Sequence, residues 1–508
     1  MRRALTVAAV CVLLFVFWLQ MLLALPKLSA TTDEVAHMPA GYTYWATRDY
    51  RMNPEHPPLV KLIAAIPLLA INPKLDLSWP EWTSAQEYNF GYGFLYTNDA
   101  DRLLFWSRVP MTLLATLGGL IVFLWSRDMF GRDAGLFALA LYAFCPNLLG
   151  HGMLVTTDVP LAVFMTLALY LSWKDSSSIW IGLATGAAMA SKFSGAILPL
   201  ILIGLSAWRV AAADDRRRQA ISETRSLLIA AVSALLLIEA SYLFTTMPWT
   251  YVENMRSVNA NHNPNHQFYL FGRFTLTGFW YYFPFAFAVK ATIPLLLSMV
   301  LACIQFITKR FINRRGELII LIAVASYGGA VMLGADELGV RYLLPIFPLL
   351  FIWGSRIVVE LRTRTAGIAL LVLLAGWQAS TSVRAFPNFI PYFNEIAGGA
   401  KGGIHYLDDS NVDWGQSMKQ AAEYVRNHGL QNVELLPFSP FDSPRYYGIS
   451  RPPRQDLETY RMLISEPPQP GTYIVSAHHL IRIMYIRPEW NPRNAVDRIG
   501  ESLWVFRF

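Results

Sequence analysis

RRALTVAAVCVLLFVFWLQMLLALPKLSATTDE, residues 2–34, decides the reading of the fold. Arg2 and Arg3 precede an apolar run from Ala4 to Pro26, and Thr31-Thr32-Asp33-Glu34 follows almost at once. The charged start imitates a secretory leader, and Leu28-Ser29-Ala30 resembles a weak cleavage site. The apolar run is longer than the roughly 7–15 residues of a leader's core, and more apolar runs follow, so it reads as an uncleaved first membrane helix. With the arginines inside, the two carboxylates stand at the outer membrane surface.

Composition agrees. The 508 residues are 54% hydrophobic and 15% charged, with a mean hydropathy of +0.35, which excludes an ordinary soluble enzyme. The net charge of +7 sits in short clusters between apolar runs rather than on one face, so it reads as topology, with no nucleic-acid partner. Cys11, Cys145 and Cys303 fall inside apolar runs and form no disulfide framework for an exported domain.

A membrane helix needs about 20 mainly apolar residues, and runs near 4–26, 103–125, 134–149, 154–173, 178–191, 194–211, 226–247, 280–308, 317–334, 340–358 and 366–383 predict about eleven crossings. Alternate loops carry Arg127 and Arg132, Lys174, Arg216 to Arg218, Lys309 to Arg315, and Arg356 to Arg364, which are the expected cytoplasmic loops. Asp33, Glu34, Asp158, a His-rich stretch at 262–266, Asp336 and Glu337 fall between them, on the outer side. The predicted fold class is a polytopic α-helical membrane protein with a small extracytoplasmic α/β C-terminal domain. Residues 1–384 form the membrane domain, 27–102 its first outer loop, and 385–508 the outer domain, with the N-terminus cytoplasmic. Within the first loop, Leu59 to Ile71 suits a helix lying in the interface. In the tail, the pattern predicts a helix over 416–427 and strands over 433–437, 472–477 and 503–508.

Asp33 and Glu34 suit a base acting on a substrate whose lipid tail stays in the bilayer, but Thr and Asp are also favoured helix caps. Asn53-Pro54-Glu55-His56-Pro57-Pro58-Leu59 places a carboxylate and an imidazole ahead of a rigid Pro-Pro, which also serves as a plain helix start. Together with Cys145-Pro146, His151, Thr157-Asp158-Val159-Pro160, Ser191-Lys192-Phe193, the aromatic run Gly278 to Pro284 with Lys290, Gly339-Val340-Arg341-Tyr342-Leu343-Leu344-Pro345 and Asp413-Trp414-Gly415-Gln416, they form an ordered series. The series resembles the GT-C glycosyltransferases related to protein O-mannosyltransferases and aminoarabinose transferases, in a bacterial branch with an outer C-terminal domain.

The resemblance implies a bacterial inner-membrane enzyme that moves a sugar from a polyprenyl-phosphate donor to an acceptor hydroxyl on the outer face, normally with inversion. The acceptor could be a protein, a lipid or a polysaccharide. Such a reaction requires a carboxylate to take the acceptor's proton and cations to hold the phosphate. By their match to the family's acidic motifs, Asp33 is the candidate base, with Glu34 and Asp158 as secondary acids. Glu55, His56, Lys192 and Arg341 are candidate substrate-binding residues, His56 standing where aminoarabinose transferases carry a lysine. Arg108, Arg273 and Lys290 are further outer-boundary cations, for which snorkelling or topology setting is an equal reading.

Glu55, His56, His262 and His266 offer donors suited to a divalent metal, as do Asp408, Asp409 and Asp413, but their spacing matches no zinc signature and acids before a helix commonly serve as caps. No resident metal or other cofactor is expected, a divalent ion being the alternative. A transporter or lipid-sugar flippase is the competing function, but its charges belong near the bilayer midplane rather than in outer loops. A non-catalytic assembly subunit of the same fold is a third, against which the acidic pair argues.

Overall fold

A computed structural model describes residues 2–247, 249–260, 265–452 and 455–508. Among these, seven helices are long and apolar enough to cross a membrane: Arg3–Lys27, Ala100–Phe130, Phe193–Ala212, Arg216–Ser241, Arg314–Gly334, Val340–Leu361 and Thr365–Ala385. Two bent pairs raise the number to nine if each is one span. Arg132–Ala143 and Pro146–Gly152 meet at 62°, and Tyr282–Lys290 and Ile293–Lys309 at 114°. The breaks fall where proline opens the second helix of each pair, Pro146 and Pro294, because proline has no N–H for the preceding turn and fits only the start of a helix. Asp158–Trp173 and Ser178–Ser191 are shorter apolar helices. The predicted span near 226–247 belongs to a helix that starts earlier, at Arg216, and ends at Ser241.

The loop after the first apolar helix is itself helical. Thr32–Thr47 opens with a capping box in which the Glu34 carboxylate accepts from the Thr31 N–H at 3.0 Å. It ends at Arg48, whose φ of 57° breaks the helical path. Leu59–Ile71 forms the helix expected of the interfacial segment.

The tail contains a four-stranded sheet in the spatial order Glu434–Leu436, Thr472–Ser476, Leu503–Arg507, Asp497–Ile499. The first pair is parallel, with Leu435 opposite Ile474, and the others are antiparallel, with Ile474 opposite Val505. Helix Met418–Asn427 packs Met418, Ala421 and Val425 with Leu435, Ile474 and Val505 in one apolar cluster. A larger cluster runs from the membrane helices through Trp414 to Val475, Trp490 and Trp504, so the tail shares its core with the helices above which it sits. Strand Asp497–Ile499 and helices Asp456–Ser465 and Ala477–Ile483 were not anticipated by sequence pattern.

The start of this loop is sewn to the tail. Ser29 N–H donates to Gln416 O at 3.0 Å and Thr32 N–H to Trp414 O at 3.1 Å, while Ser29 Oγ donates to Gly415 O and accepts from Met418 N–H, both at 2.9 Å. These bonds bring Trp414 against the first turn of Thr32–Thr47.

Candidate active site

Asp33 lies in the first turn of that helix, and its Oδ2 accepts from Arg341 Nη1 at 2.8 Å. Arg341 opens the segment Val340–Leu361, where Gly339, at φ 147°, lets the chain turn into it with Ser410 Oγ so close that a Cβ would meet it at 2.4 Å. The same Nη1 lies 3.9 Å from Asp158 Oδ2, and Asp158 Oδ1 accepts from Lys192 Nζ at 2.5 Å. Two acids and two cations from four separate elements therefore form one chain of charge. It is sheltered without being sealed: the side chains of Asp33 and Lys192 retain 16% and 12% of their exposure, against 2% for Asp158. Aromatic rings hold the cations: Lys192 lies 4.2 Å from the Tyr342 ring centroid, and the Arg341 guanidinium 4.4 Å from that of Trp414.

Glu34 points away from this centre. Arg108 Nε and Nη2 bind its two carboxylate oxygens at 2.8 and 2.6 Å, and the Thr31 and Val155 N–H groups each donate to it at 3.0 Å, all fully buried. Burial pushes this carboxyl up, but Arg108 and the N–H donors outweigh it and hold the group below the usual carboxylate range. Arg108 spends its remaining donors on Leu28 O and Ser29 O. Lys290 is likewise committed, donating to Ile390 O and Asn411 O at 2.8 Å. Arg273 is exposed on the short strand Arg273–Thr275.

The Asn53–His56 loop is held beneath the site by a lysine that the motif reading passed over. Lys61 Nζ, fully buried, donates to Asn53 O at 2.6 Å, His56 O at 2.8 Å, Tyr44 Oη at 2.8 Å and Asn53 Oδ1 at 3.1 Å. Its signal was a lone cation inside an otherwise apolar helix. His37, one helical turn after Asp33, is also new: its Nδ1 lies 2.9 Å from Val155 O, and its ring centroid 4.9 Å from that of His56. Burial, the neighbouring His37 and the nearby cations push His56 well below its ordinary pKa, which favours a neutral imidazole there. Glu55, half-buried in the same loop, acts electrostatically on Lys61 and Glu87.

Asp408 accepts from Arg482 and lies 2.9 Å from His478 Nδ1, and these two neighbours hold it below its usual range against the pull of burial. Asp413 Oδ2 accepts from Ser476 Oγ at 2.6 Å. Among the described residues, no group of three or more His, Cys, Asp or Glu is arranged to hold a metal ion. His262, one member of the sequence-based metal set, lies outside the described residues.

Residues 101–244, which include Asp158 and Lys192, match the family model described as dolichyl-phosphate-mannose-protein mannosyltransferase. No curated protein matches the chain by sequence. Among solved structures, ArnT from Cupriavidus metallidurans bound to undecaprenyl phosphate shares 14% identity at a TM-score of 0.51, over 99% of this chain and 98% of that one. Its apo state gives 0.50 at the same identity and coverage. The oligosaccharyltransferase AglB from Archaeoglobus fulgidus, in complex with an inhibitory peptide and a dolichol-phosphate, follows at 0.47 and 13% identity, over 92% of this chain and 61% of that one. The chain thus shares the fold of ArnT, and its residues 101–244 match the mannosyltransferase family model.

Proposed function

We propose that this protein transfers a sugar from a polyprenyl-phosphate donor to an acceptor hydroxyl at the outer face of a bacterial inner membrane. The observation that carries the reading is the pairing of the Asp33 carboxylate with the Arg341 guanidinium where the membrane helices meet the tail. In the reaction, the acceptor O–H gives its proton to Asp33 as its oxygen bonds to the anomeric carbon. The bond from that carbon to the phosphate oxygen breaks, and the electron pair leaves on the phosphate. Arg341 and Lys192, already desolvated and held against aromatic rings, are suited to stabilise that charge. Attack opposite the leaving phosphate inverts the anomeric centre.

Asp158 serves as the anchor that keeps Lys192 and Arg341 together, and Glu34 as the buried counter-ion that fixes the first turn carrying Asp33. Glu55 and His56 serve as hydrogen-bonding groups for the substrate. ArnT was solved with undecaprenyl phosphate, which supports a lipid carrier of that class for this chain. Asp158–Trp173 and Ser178–Ser191, counted with the seven spans and two bent pairs, support a reading of eleven crossings, and the alternating basic loops support a cytoplasmic N-terminus and an outer tail from about residue 385.

Mass spectrometry of glycans and lipid-linked sugars from cells with and without the protein tests the proposal. An accumulated polyprenyl-phosphate sugar together with a missing sugar on a protein, lipid or polysaccharide is expected. An unchanged donor pool and unchanged glycans would overturn it.

A further inference from the structure

Three groups that follow one another in space each keep a buried atom with no hydrogen-bond partner among the described residues: His151 Nδ1, Arg341 Nε and Asp158 Oδ2. The His151 ring lies 5.8 Å from the Trp414 ring, Trp414 carries the Arg341 guanidinium at 4.4 Å, and Arg341 Nη1 stands 3.9 Å from Asp158 Oδ2. His151 is 2% exposed, Asp158 1% and Arg341 8%. Thr156 Oγ1, two residues before Asp158, is also buried and unpaired. Interiors pair nearly all such atoms, so these leave hydrogen-bonding capacity on neighbouring side chains that a polar ligand can take up.

The atom types narrow what that is. Arg341 Nε–H can only donate, ionised Asp158 can only accept, and a neutral imidazole nitrogen does one or the other according to its tautomer. A phosphate only accepts and would repel Asp158. A hydroxyl donates and accepts, and a polyol presents several at fixed spacings. The site is also rigid: His151 sits on the short helix Pro146–Gly152, where Asn147 Nδ2 donates to Lys290 O at 2.7 Å, and a fixed group can discriminate between hydroxyl arrangements.

We infer that His151, with the unpaired edges of Asp158 and Arg341, forms the subsite that recognises hydroxyls of the donor's sugar, and that His151 is a specificity-determining residue. The inference rests on the proposed transferase activity, in which Arg341 and Lys192 hold the phosphate end of the same donor and Asp158 anchors them.

The test measures binding of three lipids to the purified full chain: undecaprenyl phosphate without sugar, and undecaprenyl phosphate bearing a hexose or a pentose. Wild type should favour one of the sugar-bearing lipids. His151→Phe, which keeps a ring and removes its nitrogens, should weaken that lipid by about tenfold, the order of one buried hydrogen bond, and leave sugar-free undecaprenyl phosphate within about twofold. His151→Asn, which restores a donor and an acceptor, should recover part of the loss. Equal losses on all three lipids in both variants would make the role structural, and no loss on any would mean that water alone fills the space; either overturns the subsite. A wild type that binds both kinds of lipid without preference also overturns it. A wild type that binds none of the three overturns the transferase reading itself.

Discussion

Arg341 Nη1 donates to Asp33 Oδ2 at 2.8 Å across 308 residues of sequence. The bond joins the loop after the first apolar helix to a segment near the end of the membrane helices, and Trp414 of the tail supports the guanidinium. The proposed base and the proposed phosphate-binding cation are thus in contact. Each tempers the other, so removing either should leave the survivor altered in a predictable direction.

Glu34 and Arg108 form the test of structure against chemistry. Both are fully buried and bidentate, and removing one partner of such a pair leaves an uncompensated charge. Arg108→Met should lower stability by about 3–5 kcal/mol, whereas Glu34→Met with Arg108→Met should recover most of it, because a well-packed apolar pair can replace a buried ion pair at little net loss. Thermal unfolding in detergent reads both. A stable but inactive single variant would instead give Glu34 a place in the chemistry.

Lys61 should act through the loop it holds. Lys61→Met strips three donors from Asn53 O, Asn53 Oδ1, His56 O and Tyr44 Oη, and buried acceptors left without partners cost about 1–3 kcal/mol each. Faster hydrogen exchange over the 53–61 segment is expected, with exchange in the tail sheet unchanged. Uniform loss of protection across the chain would mean that the lysine supports the whole fold.

The acids and cations were legible in sequence, because ionisable residues at the outer ends of apolar runs need a reason to be there. Their partners were not. Asp33 and Glu34 look like one motif when written in a line, but a helix turns about 100° per residue, so adjacent carboxylates face different neighbours. Asp33 reaches Arg341 and Glu34 reaches Arg108. The same geometry hid His37, four residues on and back beside Asp33. Hydropathy located the apolar segments but was blind to the breaks before Pro146 and Pro294, because a bent helix is as apolar as a straight one. The tail strand Asp497–Ile499 has three residues, too few to show an alternation.

Asp413 gives the tail a pH dependence. Burial pushes its carboxyl from 3.8 up to about 6, against the hydrogen bonds from Ser476 and Gly415. The folded state therefore holds this proton more tightly than the unfolded state. The stabilisation is complete below pH 3.8 and is lost as pH rises through about 6. Asp442 is raised as well, by burial and by Asp413, so it adds to the same trend. The melting temperature of wild type should fall between pH 4 and pH 7 more steeply than that of Asp413→Asn, with a residual slope from Asp442. Parallel profiles would show that Asp413 ionises normally.

Asp33→Asn separates the base from the clamp. Asparagine keeps the shape and position of the side chain but takes no proton, and loss of a positioned general base typically lowers turnover by about 10²–10⁴-fold. It also removes the charge that Arg341 now faces at 2.8 Å, leaving Asp158, at 3.9 Å, as its acidic neighbour. The guanidinium is then freer to meet a phosphate, so undecaprenyl phosphate should bind Asp33→Asn as tightly as wild type or tighter. Arg341→Met should do the reverse, weakening the lipid by at least tenfold, because a charge-assisted hydrogen bond contributes about twice a neutral one. Titrating the lipid into both purified variants, and assaying sugar transfer once donor and acceptor are in hand, reads the two effects apart. Weaker lipid binding in Asp33→Asn, or turnover near that of wild type, would remove Asp33 as the base and direct the search to Glu55, a half-buried carboxylate in the Asn53–His56 loop.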